Sequence, residues 1–169
     1  GFMGYAGDRV TAWLHPELDP GDTGYQILQS LYAIGSGGLF GLGYGKSRQK
    51  YLYLPFQYND YIFAVICEEL GLVGAMAIVA LFAVTILRGY WIALNARDRF
   101  STVLAAGLVT LIAVQTILNL CVVTNLLPST GIALPFFSYG GTALAVNLGE
   151  MGIVLGISRG RNRRKIQEA

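Results

Sequence analysis

Three long apolar runs dominate the second half of the chain. The run from Ile62 to Leu87 contains two acids, the run from Leu104 to Leu127 contains no charge, and the run from Leu134 to Ile157 contains one acid. A helix rises about 1.5 Å per residue, so about 20 residues span the roughly 30 Å hydrocarbon core of a bilayer, and each run is longer than that. We therefore predict an all-α fold, a polytopic membrane segment with transmembrane helices at about 62–87, 104–127 and 134–157.

Upstream of these runs the pattern changes to a short amphipathic helix followed by glycines. The residues from Thr23 to Gln26 fit a capping box, and apolar positions then recur at helical spacing before a break at Gly35. This helix is expected to lie on the membrane surface or on its own protein. The segment 35–45 holds six glycines in eleven residues, which favours a loop that lies against another backbone or a ligand. The apolar positions of the helix are Ile27, Leu28, Leu31 and Ile34.

Composition supports a membrane protein and excludes several other classes. The 169 residues are 54% hydrophobic and 13% charged, against roughly 25% charged in a soluble domain. A net charge of +2 is too small to indicate a nucleic-acid partner. Cys67 and Cys121 fall in apolar runs, and the single histidine, His15, has no acidic or cysteine cluster around it, so no metal site is expected.

The distribution of cations predicts the orientation in the membrane. Residues 88–99 carry three Arg and one Asp, residues 159–165 carry five Lys or Arg, and residues 128–138 carry none. Cytoplasmic loops are enriched in Lys and Arg, so the first two segments are expected inside and the third outside. The predicted organisation is a large outer loop (1–60), a three-helix transmembrane region (61–158) and a basic cytoplasmic tail (159–169).

Candidate chemistry in the outer loop begins with three cations on alternate residues, Lys46, Arg48 and Lys50, with Gln49 among them. In an extended segment alternate side chains share one face. Two interpretations stand side by side, a basic rim that touches lipid head groups and a specific phosphate or pyrophosphate site. A nucleotide-binding P-loop is excluded, because that motif needs glycine where Phe40 stands.

Acidic residues mark the start and the interior of the first span. Asp60 stands where this span begins, which fits either a helix-capping acid or a positioned general base. Glu68 and Glu69 lie inside the span, where a carboxylate is costly and either pairs with a cation or lines a polar cavity. Glu68 is about two turns from Asp60 and on nearly the same face. Glu150 in the third run has the same two interpretations, an ion pair or a polar cavity.

Prolines and glycines near the start of the third run would break helix geometry close to the outer surface. Pro128 and Pro135 precede the stretch Ser138, Tyr139, Gly140 and Gly141. Irregular backbone at membrane depth is tolerated where it lines a cavity or packs on protein. The stretch therefore either lines a ligand cavity or forms a re-entrant turn without a ligand.

Three separated strings resemble one family. They are GYQILQSLYAIGSGGLFGLGYGKSRQKYLYLP, NDYIFAVICEELGLVG and LLPSTGIALPFFSYGGTALAVNLGEMGIVLGISR, and they cover the chain from about residue 24 to residue 159. In their order and topology they are similar to the shape, elongation, division and sporulation proteins typified by FtsW, RodA and SpoVE. Proteins of that family have more spans than this chain. The chain thus resembles their large outer loop plus their last three helices, with strings closer to the division and sporulation forms.

The resemblance implies a peptidoglycan glycosyltransferase of the bacterial cytoplasmic membrane that polymerises lipid II at its outer face. It implies that the essential acid is Asp60, within NDYIF, although the family's commoner form of this string is TDF. It also implies as partners a class B penicillin-binding transpeptidase and other division or elongation membrane proteins. No cofactor is firmly implied, and a role for a divalent cation, Mg²⁺ or Mn²⁺, is left open. The expected substrate-binding residues are Lys46, Arg48, Gln49, Lys50, Glu68, Glu69, Ser138, Tyr139, Gly140 and Gly141.

Two other functions are consistent with the same residues. Acids inside the membrane next to broken helices also suit a transporter that flips lipid II across the bilayer. A non-enzymatic scaffold for a penicillin-binding protein is the second alternative. The enzyme is favoured because the densest polar motifs lie in the outer loop and not at the membrane midplane.

Overall fold

The computed structural model describes residues 10–11, 13–16, 23–43, 45 and 60–167. Within these residues it contains no strand, and three of the helices are long and apolar enough to cross a membrane, namely Ile62–Leu94, Arg99–Val123 and Gly141–Gly160. The prediction of an all-α fold with three such helices is confirmed. We name the helices α1 (Thr23–Gly37), α2 (Ile62–Leu94), α3 (Arg99–Val123) and α4 (Gly141–Gln167).

The first two membrane helices extend beyond the predicted spans on their Arg-rich side. Helix α2 begins at Ile62, as predicted, but continues past Leu87 to Leu94. Helix α3 begins at Arg99 and not at Leu104, because Asp98 caps it by accepting a hydrogen bond of 2.9 Å from the Ser101 amide. Apolarity marks the part of a helix that lies in lipid, whereas capping residues mark where the helix itself begins and ends.

On the opposite side of the membrane region, the helices are shorter than the apolar runs: α3 ends before its run does, and α4 begins after its run has begun. Helix α3 ends at Val123, before Asn125 adopts a φ of 58°. Helix α4 begins at Gly141, seven residues after the start predicted for the third span at Leu134. Phe136 interrupts helical geometry after Pro135, because its φ of 66° is left-handed. The Leu134 carbonyl instead accepts hydrogen bonds from the amides of the two residues that follow Phe136, in a tight turn.

Helix α2 is broken inside the membrane-spanning region at Gly71. Its φ of 68° and ψ of −170° lie in a region that is open essentially only to glycine. The break leaves two carbonyls and two amides of α2 without helical partners, and the glycine-rich segment after α1 bonds to all of them. These bonds run from Leu42 N to Glu68 O (2.9 Å), from Gly43 N to Glu69 O (3.0 Å), from Leu72 N to Gly38 O (2.9 Å) and from Val73 N to Leu39 O (3.2 Å).

The contact between the glycine-rich segment and α2 leaves no room for side chains. A Cβ added at Gly37 would overlap the Cys67 carbonyl, and one added at Gly41 would overlap the Glu69 carbonyl. A Cβ at Gly71 would in turn overlap the backbone of Gly41. Of the two predicted environments, another backbone or a ligand, the described residues of this segment lie against another backbone.

Helix α1 packs on its own protein, which was one of its two predicted positions. Ile27 and Ala33 are fully buried between α1 and the membrane helices. The Ser30 hydroxyl donates to the Ile27 carbonyl at 2.8 Å and lies 3.3 Å from the carbonyl of Val123 at the end of α3. The helix continues to Gly37, two residues past the predicted break at Gly35.

Candidate active site

Asp60 lies immediately ahead of α2 but does not occupy its capping position. That position belongs to Tyr61, whose side chain makes no capping hydrogen bond. Asp60 is half-buried, and one of its carboxylate oxygens lies against the backbone of Gly131, at 3.7 Å from where a Cβ would stand there. Gly131 has a φ of 70° and belongs to the connection between α3 and α4. The fold thus brings the acid from the start of α2 to a segment about seventy residues later in the chain.

Asn119 ties these two segments together. It lies in α3, one turn before the helix ends, and its side chain is fully buried. Its side-chain amide nitrogen donates to the carbonyl of Asp60 and to the carbonyl of Ile132, at 2.8 Å in each case. The main chain on both sides of the Asp60 and Gly131 contact is therefore held by one side chain.

An open cavity of about 510 Å³ begins at Ile132, next to this contact. Its walls come from α3, from the connection and from the first two turns of α4. Neutral hydrogen-bonding side chains interrupt an otherwise apolar lining, and the described wall carries no charged side chain. Such a surface suits a ligand with hydroxyl and amide groups. The lining residues are Gln115, Ile132, Ala133, Thr142, Ala143, Val146 and Asn147.

Glu68 and Glu69 are buried on the inward face of α2, just before the break. They are 1% and 8% exposed, and Glu69 Oε1 has no hydrogen-bond partner among the described residues. Glu68 lies about two turns, or roughly 12 Å, along the helix from Asp60. Glu150 in α4 is also buried, and its Oε2 is likewise unpartnered within the described part of the chain. All three acids are thus withdrawn from lipid, as intramembrane carboxylates usually are.

The stretch from Ser138 to Gly141 forms the turn that leads into α4. The Ser138 hydroxyl oxygen accepts a hydrogen bond of 2.7 Å from the Leu134 amide, and the Gly140 carbonyl accepts one of 2.9 Å from the Leu144 amide. The Tyr139 side chain is exposed. The predicted break in helix geometry is confirmed, because Gly141 is the first residue of α4. The predicted substrate-binding residues Lys46, Arg48, Gln49 and Lys50 lie outside the described residues.

Sequence reasoning missed the residue that bonds to the Asp60 main chain and the polar residues of the neighbouring cavity. Asn119 and Gln115 are uncharged, and Asn147 follows the irregular stretch, so a search for charges and helix breakers passed over all three. The available signal was a polar side chain inside an apolar run, where its burial needs a partner. Gly131 offered a weaker signal as a glycine between prolines.

Comparison with known proteins identifies the family. The family model for FtsW, RodA and SpoVE, described as cell cycle protein, matches residues 2–163. The chain belongs to the FtsW/RodA/SpoVE family. Stage V sporulation protein E of Bacillus subtilis is 48% identical over 165 residues, which cover 94% of this chain and 45% of that protein. The probable peptidoglycan glycosyltransferase FtsW of Geobacter sulfurreducens is 49% identical over 154 residues, covering 91% and 41% of the two chains.

Solved structures of the FtsW/RodA/SpoVE family agree with this fold. A chain from a peptidoglycan synthase complex, described as coordinating polymerization and crosslinking, matches with a TM-score of 0.74 at 29% identity, over 91% of this chain and 41% of that one. An aspartate-to-alanine mutant of the rod shape determining protein RodA of Thermus thermophilus matches with a TM-score of 0.60 at 32% identity, over 78% and 40%. The chain spans less than half the length of the relatives it matches.

Proposed function

We propose that the protein to which this chain belongs is a peptidoglycan glycosyltransferase that polymerises lipid II during cell division or sporulation. Relatives at 48–49% identity are named probable peptidoglycan glycosyltransferase FtsW, which supports this activity. The observation that carries the proposal is the setting of Asp60. Its carboxylate precedes a membrane-spanning helix without occupying that helix's capping position, and it lies beside an open cavity with a neutral polar lining.

Asp60 acts as the general base in this proposal. A sugar hydroxyl of one lipid II attacks the anomeric carbon of the other chain, and Asp60 accepts the hydroxyl proton as the new carbon–oxygen bond forms. The bond from the anomeric carbon to the pyrophosphate oxygen breaks, and its electron pair leaves with the pyrophosphate. A direct displacement of this kind inverts the configuration at the anomeric carbon.

Outer-loop cations would stabilise the pyrophosphate as it leaves. Charged donors aimed at a developing negative charge supply much of the catalysis in such reactions. Lys46, Arg48 and Lys50 are the proposed cations. The other proposed substrate contacts are Gln49, Glu68, Glu69, Ser138, Tyr139, Gly140 and Gly141.

The proposed site faces the outside of the cell. Beyond residue 60, all Arg and Lys residues lie within residues 88–99 and 159–165, whereas residues 124–140 carry no charge. This charge distribution supports an outer position for Asp60 and the cavity, on the side where we propose that lipid II is polymerised. A reporter fused after Ala169 should be cytoplasmic, and labelling of a cysteine placed at residue 165 by an impermeant reagent in intact cells would contradict this orientation.

The proposed partner is a class B penicillin-binding transpeptidase, together with other membrane proteins of division or elongation. The match to a chain of a peptidoglycan synthase complex supports such an assembly. Gly107 in α3 has open space beside it, which allows close approach of a partner helix. Gly107→Leu should reduce recovery of the co-expressed transpeptidase, and unchanged recovery would exclude this surface.

A lipid II transporter is the rival function, and one observation favours it. Helix α2 is broken within the membrane beside two buried acids, as in many transporters. The carbonyls freed at this break, however, accept hydrogen bonds from the glycine-rich segment and are not left to coordinate an ion. This supports a structural break and favours the enzyme.

The decisive experiment for this choice uses the full-length protein and its transpeptidase partner in detergent, where there is no bilayer to cross. Incubation with purified lipid II should give glycan strands that a gel resolves. A folded, partner-bound complex that leaves lipid II unpolymerised while the same protein moves it across liposome membranes would contradict the enzyme and support the transporter.

A further inference from the structure

We infer that Asn119 is a positioning residue for Asp60 and that it fixes the Asp60 main chain against the rim of the neighbouring cavity. The inference rests on the proposed role of Asp60 as general base. It concerns an uncharged residue in the last turn of the second membrane helix, and this residue takes no part in proton transfer itself.

The geometry joins three parts of the chain through Asn119. It belongs to α3, and its side-chain nitrogen carries two hydrogens. One is donated to the carbonyl of Asp60, ahead of α2, and the other to the carbonyl of Ile132, at the cavity wall. Both distances are 2.8 Å, so the two carbonyls converge on a single atom.

The burial of Asn119 indicates that these two bonds are the reason for its presence. The side chain is fully buried, and its Oδ1 has no hydrogen-bond partner among the described residues. Burial of an unsatisfied carbonyl is costly. An apolar residue would avoid that cost but would leave the carbonyls of Asp60 and Ile132 without these donors.

Thr116 provides an internal comparison. It lies one turn earlier in α3 and is also buried, but its hydroxyl donates at 2.8 Å to Ile112 within the same helix. Such a bond to the residue four positions back satisfies the hydroxyl locally and holds no other segment in place. Thr116 is therefore a matched control for a buried polar side chain of α3 without a positioning role.

The contact predicts a specific kinetic effect. Both hydrogens of the Asn119 amide are used on backbone carbonyls, so the residue donates nothing to the Asp60 carboxylate. Its removal should change where the base stands and not how tightly the base holds a proton. A shift of about 1 Å in a catalytic group can lower the rate on the order of 100-fold.

The test uses the full-length protein in complex with its transpeptidase partner and follows lipid II polymerisation. Asn119→Leu keeps the size and removes both donors, and should lower kcat roughly 10- to 100-fold with KM within about twofold of the parental value. The midpoint of the acidic limb of the pH–rate profile should not move. Asn119→Asp, held as a neutral acid in this apolar setting, has one donor and should give an intermediate kcat. Thr116→Val should keep the parental kcat.

Several outcomes would overturn the inference. The inference is wrong if Asn119→Leu keeps the parental kcat, or if Thr116→Val loses as much kcat as Asn119→Leu. It is also wrong if Asn119→Leu changes only KM, or if it moves the acidic limb of the pH–rate profile. If Asn119→Leu is not recovered with its partner, Asn119→Asp decides by the same criteria. Asp60→Asn serves as the reference, because full activity in that variant contradicts the proposed function itself and not only the role of Asn119.

Discussion

The two ends of the membrane helices are held together in different ways. The residues of the turn between α2 and α3 make local hydrogen bonds. The Asn95 side chain donates to the Trp91 carbonyl at 2.8 Å, and the Asp98 carboxylate accepts from the Ser101 amide and hydroxyl at 2.9 Å each. At the opposite end, Asn119 joins residues far apart in sequence, and the glycine-rich segment bonds to the broken helix α2.

Two aspartates at helix starts make the contrast concrete. Asp98 caps α3, and its exposed carboxylate is explained by the helix that follows it. Asp60 precedes α2 without occupying the capping position, and its carboxylate instead lies against a distant glycine. The capping position thus belongs to the aspartate itself at the start of α3 and to Tyr61 at the start of α2. The comparison suggests that function resides where long-range contacts position a side chain.

The largest loss of stability should follow a substitution where the glycine-rich segment bonds to α2. Gly71→Ala places a side chain in a glycine-only conformation and into the backbone of Gly41, which should cost about 3 kcal/mol or more. Little folded protein should be recovered, as judged by size exclusion and thermal unfolding in detergent. Gly156→Ala in α4, where a Cβ has open space, is the control and should keep parental stability. Normal folding of Gly71→Ala would show that folding does not depend on the break in α2 and its hydrogen bonds to the glycine-rich segment.

A smaller loss of stability is expected where α2 packs against α3 near the turn that joins them. A Cβ at Gly89 would meet the side chain of Val109, which can shift, and not a backbone. Gly89→Ala should therefore destabilise the protein by about 1–3 kcal/mol, measured as a lower thermal midpoint in detergent. The double variant with Val109→Ala should recover part of this loss. If the double variant recovers no stability, the overlap with Val109 is not the cause of the loss in Gly89→Ala.

The smallest effect concerns the Asp98 cap. Hydrogen bonds from the Ser101 amide and then from its hydroxyl lower the pKa of this carboxyl below its ordinary value. Because the folded-state pKa is the lower one, the cap contributes fully above the unfolded pKa and its contribution is lost as pH falls through the folded pKa. Acid titration of thermal stability should show this loss below about pH 4. Asp98→Asn still caps but does not titrate, so it should lack that component, and an identical acid profile would contradict the assignment.

The sequence predicted those features that depend on neighbouring residues. Hydropathy located the three membrane helices because the length of an apolar run is a local property, and the capping pattern located the start of α1. The break at Gly71 was not predicted, since it depends on backbone groups supplied from around Gly41. The break in helix geometry ahead of Gly141 was predicted from the prolines and glycines, but the span boundary was set at Leu134 because the apolar run begins there. Asp60 was selected as a candidate, but Asn119 was not, because its importance arises only when the Asp60 and Ile132 carbonyls meet beside it.

One pair of variants tests the central claim most directly. Asp60→Asn and Asp98→Asn make the same chemical change at two helix starts, and lipid II polymerisation by the full-length complex in detergent is the measurement. Loss of a general base typically lowers the rate about 10²- to 10⁴-fold, so the Asp60 variant should be almost inactive while still binding its partner. The Asp98 variant should polymerise at nearly the parental rate. Equal, near-parental rates in both variants would contradict the account, because Asp60 would then be no more than a residue at the start of a helix.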